Sequence, residues 1–203
     1  MILTFNKIID KLILFCYKLV RCSLTQKGMI SMDEKKKERI LRRAQAVSFK
    51  ALLAGYAGKG KKDPRLTTTT SMFGFTKTNT YRYGDFTVID EWTTTDHSDF
   101  SFGKTMILFE EIPIWFMTYS GSYPKKVIPF LKEVLSIQYN SGDFRGGRGP
   151  GFFKSSNGDL VYRNNAYANG NSNFSRFSGR EEIINTESKE VVGFHEYSGR
   201  SML

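Results

Sequence analysis

The chain has 203 residues, 40% of them hydrophobic and 14% aromatic, and a formal net charge of +10. That length and apolar content exclude a disordered chain and are enough for one domain, or two small ones, with a buried core. Two cysteines, Cys16 and Cys22, and two histidines, His97 and His195, exclude a disulfide framework and a cysteine-based metal site in the body of the chain. This usage fits a reducing, cytoplasmic compartment, and neither a metal nor a cofactor is expected.

The charge is unevenly spread. Residues 1–43 carry 11 Lys and Arg against 4 Asp and Glu, which leaves 19 against 16 for residues 44–203. The excess belongs to a tail, and the near-balanced body argues against a nucleic-acid-binding surface. Residues 1–43 read as a basic and apolar N-terminal extension. Its apolar run at residues 12–17 is preceded by Lys7, Asp10 and Lys11, so it falls short of the roughly 20 residues of a membrane span. No small-residue cleavage site follows it. Ile8, Leu12, Phe15 and Leu19 share a helical face, so a membrane contact is expected only if residues 1–20 are translated and amphipathic. Lys27-Gly28 can encode an AAGG-type ribosome-binding sequence just ahead of Met32 and the hydrophilic Asp33-Glu34-Lys35. The expectation is that residues 1–31 are upstream sequence and that the native protein begins at Met32.

From Asp33 onward, Ile40, Ala44, Val47, Ala51 and Ala54 recur at helical spacing toward Gly55. Gly58, Gly60 and Asp63-Pro64 then turn the chain. Residues 83–92, 100–109 and 112–120 are rich in aromatic and β-branched side chains, and Glu110-Glu111 tightly joins the last two, giving a three-stranded meander. A second helix is predicted from Pro124 to about Tyr139, with Val127, Phe130, Leu131, Val134 and Leu135 on one face. Strands resume at residues 160–168, 173–183 and 190–197, punctuated by turns at Asn157-Gly158 and Asn169-Gly170-Asn171.

The two halves share ordered motifs. Gly84-Asp85-Phe86 precedes Gly103-Lys104 by 19 residues, and Tyr119-Ser120-Gly121 closes the first half. Gly158-Asp159-Leu160 precedes Gly179-Arg180 by 21, and Tyr197-Ser198-Gly199 closes the second. The expected fold is therefore α+β: a helix plus a three-strand meander, used twice (αβββ twice). The two units, residues 44–122 and 123–203, form one antiparallel sheet with both helices on one face. A pocket is expected between the halves, beside the glycine-rich loop that follows each helix.

The loop at residues 143–150, Asp-Phe-Arg-Gly-Gly-Arg-Gly-Pro, is the most pointed candidate site. Arg145 and Arg148 supply forked donors, and the glycines let backbone N–H groups approach an anion. Tyr56 and Tyr119 offer rings and hydroxyls. Asp90 shares a strand face with Trp92, whereas Glu91 points the other way. Tyr56, Asp90, Trp92, Tyr119, Arg145 and Arg148 form the candidate ligand site.

A set of residues carries a resemblance. Ala54-Gly55-Tyr56-Ala57-Gly58, Tyr83-Gly84-Asp85-Phe86 with Asp90, residues 115–121, Phe130-Leu131-Lys132, residues 144–150, and Phe177-Ser178-Gly179 with residues 181–183 resemble the DUF5680 domain family. This uncharacterised prokaryotic family is often found C-terminal to XRE-type helix-turn-helix regulators. The resemblance spans roughly residues 45–200 and implies an accessory or sensory role. Residues 1–44 show no helix-turn-helix spacing, so direct DNA binding is not expected.

Three readings stay open. One is a regulatory or sensory domain binding a small anionic or aromatic ligand between the two repeats. Another is an interaction module that forms a homodimer or partners a separate transcription regulator. The third is an enzyme of unknown reaction, which would need a buried carboxylate of raised pKa near the arginines; the chain shows no GxSxG, HExxH or P-loop motif. The balance lies against an enzyme.

Overall fold

Helix α1 (Glu34–Ala54) forms where apolar residues recur every three to four positions, and Ile40, Ala44, Val47, Ala51 and Leu52 are buried along one stripe. Its last carbonyls meet the Gly55–Ala57 turn, in which Gly55 and Ala57 donate back to Ala51 and Leu52. The computed structural model describes residues 32–58, 63–166 and 173–203. The expected N-terminal helix in residues 1–20, the segment ahead of Met32, the loop end at Gly60 and the turn at residues 169–171 lie outside the described residues. The chain divides into two units, Met1–Lys37 and Glu38–Leu203. Of the first, the described residues are 32–37, which lead into the start of α1; the second contains everything that follows.

Nine strands, β1 (Leu66–Thr70), β2 (Thr76–Tyr83), β3 (Phe86–Thr94), β4 (Phe100–Phe109), β5 (Ile112–Ser122), β6 (Phe152–Lys154), β7 (Leu160–Ala166), β8 (Arg176–Asn185) and β9 (Val191–Ser201), form one sheet. Their order is β1-β2-β3-β4-β5-β9-β8-β7-β6, and every pair is antiparallel. Among the described residues the architecture is thus one antiparallel sheet with two α-helices, but the count of three strands per half needs correction to five and four. The stretch 83–92 is not one strand: Gly84 adopts φ 57°, and Tyr83 pairs with Phe86 across a two-residue turn. β1 and β2 escape a hydrophobic reading because they are threonine-rich, and four of the five residues of β1 are exposed. β6 is three residues long and directly follows the Arg-Gly loop.

Helix α2 (Ile128–Ser141) buries Phe130, Leu131, Val134, Leu135, Gln138 and Tyr139. Pro124 sits before a 3-10 turn (Lys125–Val127), and Pro129 is the proline in the first turn of the α-helix proper. Gly142, at φ 78°, is the left-handed C-cap, a position where a side chain would strain the backbone.

Register places every second strand residue on one covered face. Asp90, Thr105, Met117, Gly199 and Phe177 follow one line across the sheet, and Val88, Ile107, Trp115 lie on the next. The opposite face carries Glu91, Lys104, Thr118, Ser198 and Arg180 and is largely exposed. The covered face buries Tyr81, Phe86, Ile107, Trp115, Tyr162 and Ile183, and Phe49, Leu52, Leu131 and Leu135 of the helices pack in one cluster with Tyr162 and Ile183. Trp115 stacks on Phe174 at 4.8 Å and donates its indole N–H to the Phe174 carbonyl at 2.7 Å.

Candidate functional site

The covered face contains a cavity of about 600 Å³. β3 supplies Asp90 and Trp92 to its lining, β4 Thr105, β5 Met117 and Tyr119, and β9 His195. Tyr56 enters from the turn after α1, Lys132 and Tyr139 from α2, and Arg148 from the glycine-rich loop. The alternation of β3 puts Asp90 and Trp92 inside, while Glu91 lies on the open face, paired with Lys104 at 3.3 Å.

The Arg-Gly loop is fastened from several sides. Tyr139 donates its hydroxyl to the Gly147 carbonyl at 3.0 Å, and Asn164 Nδ2 donates to the carbonyls of Arg145 (3.0 Å) and Gly149 (2.7 Å). The Gly149 N–H donates to the Tyr162 hydroxyl at 2.9 Å. Gly146 and Gly147 take φ of 68° and 70°, which lets the chain reverse while lying against Tyr197 and Met117. The loop delivers Arg148 inward, 6% exposed, and leaves Arg145 exposed and outside the cavity lining. The expected two-arginine clamp therefore needs correction: a tight reversal between the two arginines sends them in different directions.

Arg148 is also already occupied. Its Nε donates to Glu181 Oε1 at 2.9 Å, and its Nη2 donates to the same oxygen and lies 3.3 Å from His195 Nδ1. Tyr162 donates to Glu181 Oε2. Glu181 is fully enclosed. Burial pushes its pKa up, but the Arg148 charge and the hydrogen bonds from His195 and Arg148 outweigh that and bring it down to about 2. His195 is held below the ordinary histidine range, chiefly by burial, with Arg148 adding to the effect. His195 Nδ1 faces both Arg148 Nη2 (3.3 Å) and Glu181 Oε1 (3.6 Å), and Nε2 lies 3.2 Å from Ser101 Oγ.

Asp90 sits differently. It is 6% exposed and has no ion pair among the described residues. Oδ1 accepts hydrogen bonds from Thr105 (2.8 Å) and Tyr119 (3.3 Å), and Oδ2 accepts none among the described residues. Burial raises its pKa, opposed by the Thr105 hydrogen bond, the Arg148 charge and the Tyr119 hydrogen bond. Aromatic rings surround this carboxyl. Tyr56 meets Trp92 edge-on at 5.8 Å, Tyr119 packs against His195 at 5.5 Å, and Arg148 lies 5.3 Å from the Tyr119 ring centre. Burial pushes the Tyr56 hydroxyl up to about 12, so it stays a neutral donor. The Tyr123 hydroxyl is buried without a well-formed hydrogen bond among the described residues, and burial, with the Glu181 charge nearby, pushes its pKa up.

The structure gathers Tyr56, Asp90, Trp92, Tyr119 and Arg148 around one cavity and leaves Arg145 outside it. Sequence reasoning missed Glu181, Thr105, Tyr123, Lys132 and His195 as site residues. A signal existed for Glu181: it occupies an inward position of β8 between Gly179 and Ile183, where the alternation calls for an apolar side chain. Among the described residues no group of three or more His, Cys, Asp or Glu is arranged to hold a metal, and no helix is long and apolar enough to cross a membrane.

The fold and cavity define an α+β domain with a polar, ring-lined chamber on the covered side of one sheet. A family model described as "Domain of unknown function (DUF5680)" matches residues 96–201, more than half of the chain, and the chain belongs to that family. The match includes Tyr119, Arg148, Glu181 and His195 and begins beyond Tyr56, Asp90 and Trp92. No curated protein and no solved structure matches.

Proposed function

We propose that this chain is a regulatory or sensory domain that binds a small molecule in the cavity on the covered face. The observation that carries the reading is the convergence of two buried charged side chains, Asp90 and Arg148, with tyrosine and tryptophan rings around a space of about 600 Å³. A volume of that size suits a small metabolite with a flat apolar body and a few polar groups. The role as a sensor rests on the association of the family with helix-turn-helix regulators, and the cytoplasmic setting on the cysteine usage.

We also read the chain as a duplicated unit. In support, Tyr119 and Tyr197 oppose each other across the central β5–β9 pair. A Cβ on Gly103 would strike the Tyr119 ring at 2.5 Å, and one on Gly179 the Tyr197 hydroxyl at 2.3 Å. Tyr119 donates to Asp90, and Tyr197 donates to Asn164 at the related position of β7. On this reading the cavity belongs to the first unit, and the related space in the second is filled by the Arg-Gly loop.

The test is a thermal-shift screen of metabolites against the wild type, Trp92→Ala and Arg145→Ala. A true ligand stabilises the wild type and Arg145→Ala and loses most of its effect in Trp92→Ala; at a hundred times Kd the gain is about 2.7 kcal/mol. Stabilisation that survives in Trp92→Ala places the ligand elsewhere and ends the reading. A second reading, an interaction module that self-associates, has its own observation: Met72, Phe73 and Phe75 at the β1–β2 turn are 87%, 75% and 43% exposed. Sedimentation of the wild type and Phe73→Asp tests it, and a wild-type monomer at high concentration rejects it.

A further inference from the structure

The inner end of the cavity holds an odd number of charges. Arg148 and Glu181 cancel, His195 is neutral, and Asp90 is left over. The Arg148 charge reaches Asp90 but is tied to Glu181, and the other groups that face Asp90 do not cancel it. Asn79 lies opposite on β2, Thr105 and Tyr119 donate from β4 and β5, and Tyr56 and Tyr139 are neutral phenols from the turn after α1 and from α2. Lys132, the cation that α2 brings to the lining, lies 4.8 Å above the Tyr56 ring and makes no ion pair with Asp90. Lys125, Asp96, His97 and Asp99 also line the cavity, from the chain at either end of the β4–β5 hairpin.

Two features then point the same way. Asp90 is more than nine-tenths buried, and Oδ2 accepts no hydrogen bond among the described residues, although Asp90 lines the cavity. The rings of Tyr56, Trp92 and Tyr119 share that lining, and aromatic faces attract cations through their quadrupole. A carboxylate without an ion-pair partner among the described residues, set among aromatic rings, is complementary to a positive head group and unfavourable for an anion.

We propose that the ligand of this cavity is a protonated organic amine, its N–H donating to Asp90 Oδ2 and its hydrocarbon or aromatic body lying against Tyr56, Trp92 and Tyr119. This rests on the reading of the cavity as a ligand site and assigns the charge of the ligand, which the expected arginine clamp had set as negative. Arg148 is then a positioning residue: tied to Glu181, it lies over the Tyr119 ring, whose hydroxyl bonds Asp90. A proton and the ammonium compete for the same carboxyl, so binding tightens as pH rises through the Asp90 transition, and one proton is released per ligand below it.

The experiment compares three probes of similar size: phenethylamine, phenethyl alcohol and 3-phenylpropionate. Trp92 fluorescence and titration calorimetry follow binding, and Trp92→Phe separates its signal from that of buried Trp115. The amine is expected to bind at least about tenfold more tightly than the other two. Asp90→Asn is expected to weaken the amine roughly ten- to a hundredfold, the worth of a charge-assisted hydrogen bond, and to leave the alcohol unchanged, which also shows that the variant is folded. Calorimetry in buffers of different ionisation heat should register the released proton. If the alcohol or the carboxylate matches the amine, or the amine binds Asp90→Asn undiminished, the amine assignment falls and the ligand cavity stands. If all three probes are silent, both fall.

Discussion

Asp90 on β3 and Glu181 on β8 are both buried carboxyls on the covered face of the sheet, and they are served very differently. Glu181 receives Arg148 on one oxygen and Tyr162 on the other, with His195 Nδ1 3.6 Å away. Asp90 receives two hydroxyls on one oxygen and, among the described residues, nothing on the other. The first arrangement is closed, since its charge is matched and its neighbours fill the space. The second is open, and its open side is the cavity. Burial alone therefore does not distinguish the two carboxyls; the unmatched hydrogen-bonding capacity does.

The contrast breaks most severely at Arg148. Arg148→Met leaves Glu181 enclosed without its counter-charge, and a loss of about 3–5 kcal/mol in chemical denaturation is expected. Asp90→Asn should do the reverse, because it removes a charge that burial disfavours; a gain on the order of 1 kcal/mol at neutral pH is expected.

The pH dependence sharpens the same contrast, with opposite signs. Glu181 has a folded value of about 2 against an ordinary 4.5. Its contribution to stability is complete above 4.5 and is lost as pH falls toward 2. Asp90 is raised above its ordinary 3.8, so the folded state holds that proton longer. Its charge costs stability progressively as pH rises above 3.8 through the raised value. Urea unfolding across pH should thus show a flatter upper limb in Asp90→Asn, and its acid limb should keep the Glu181 loss.

Two smaller changes test how far the halves differ in packing and turns. Gly179→Ala would push the Tyr197 ring off Asn164, and about 1–3 kcal/mol should be lost, as expected for an overpacked core position. The β4–β5 turn is the smallest case. Glu110 and Glu111 both have positive φ, 49° and 63°, whereas β8 and β9 are joined by a longer loop with one such residue, Lys189. Glu110→Asn with Glu111→Gly should therefore add about 0.5–1 kcal/mol, measured as a rise in Tm.

Much of this architecture is legible in the chain. The stripe of Ile40, Ala44, Val47 and Ala51 and that of Phe130, Leu131, Val134 and Leu135 specify two amphipathic helices, because helical spacing converts sequence directly into a face. The alternation along β3 likewise sets Asp90 and Trp92 on one side of the sheet. β1, β2 and β6 were not legible, since threonine-rich or three-residue edge strands owe their pairing to neighbours rather than to a hydrophobic pattern.

The site divides the same way. Local sequence is enough to say that residues 143–150 form a glycine-rich loop with two arginines. It cannot say that Arg148 turns inward and Arg145 outward, because that depends on Tyr139, Tyr162 and Asn164, which reach the loop from α2 and β7. Nor can it pair Arg148 with Glu181, 33 positions away, or leave Asp90 without a counter-ion. The sign of the charge in the cavity is a sum over groups brought together from β3, β8, β9 and the loop, and that sum exists only once the sheet is assembled.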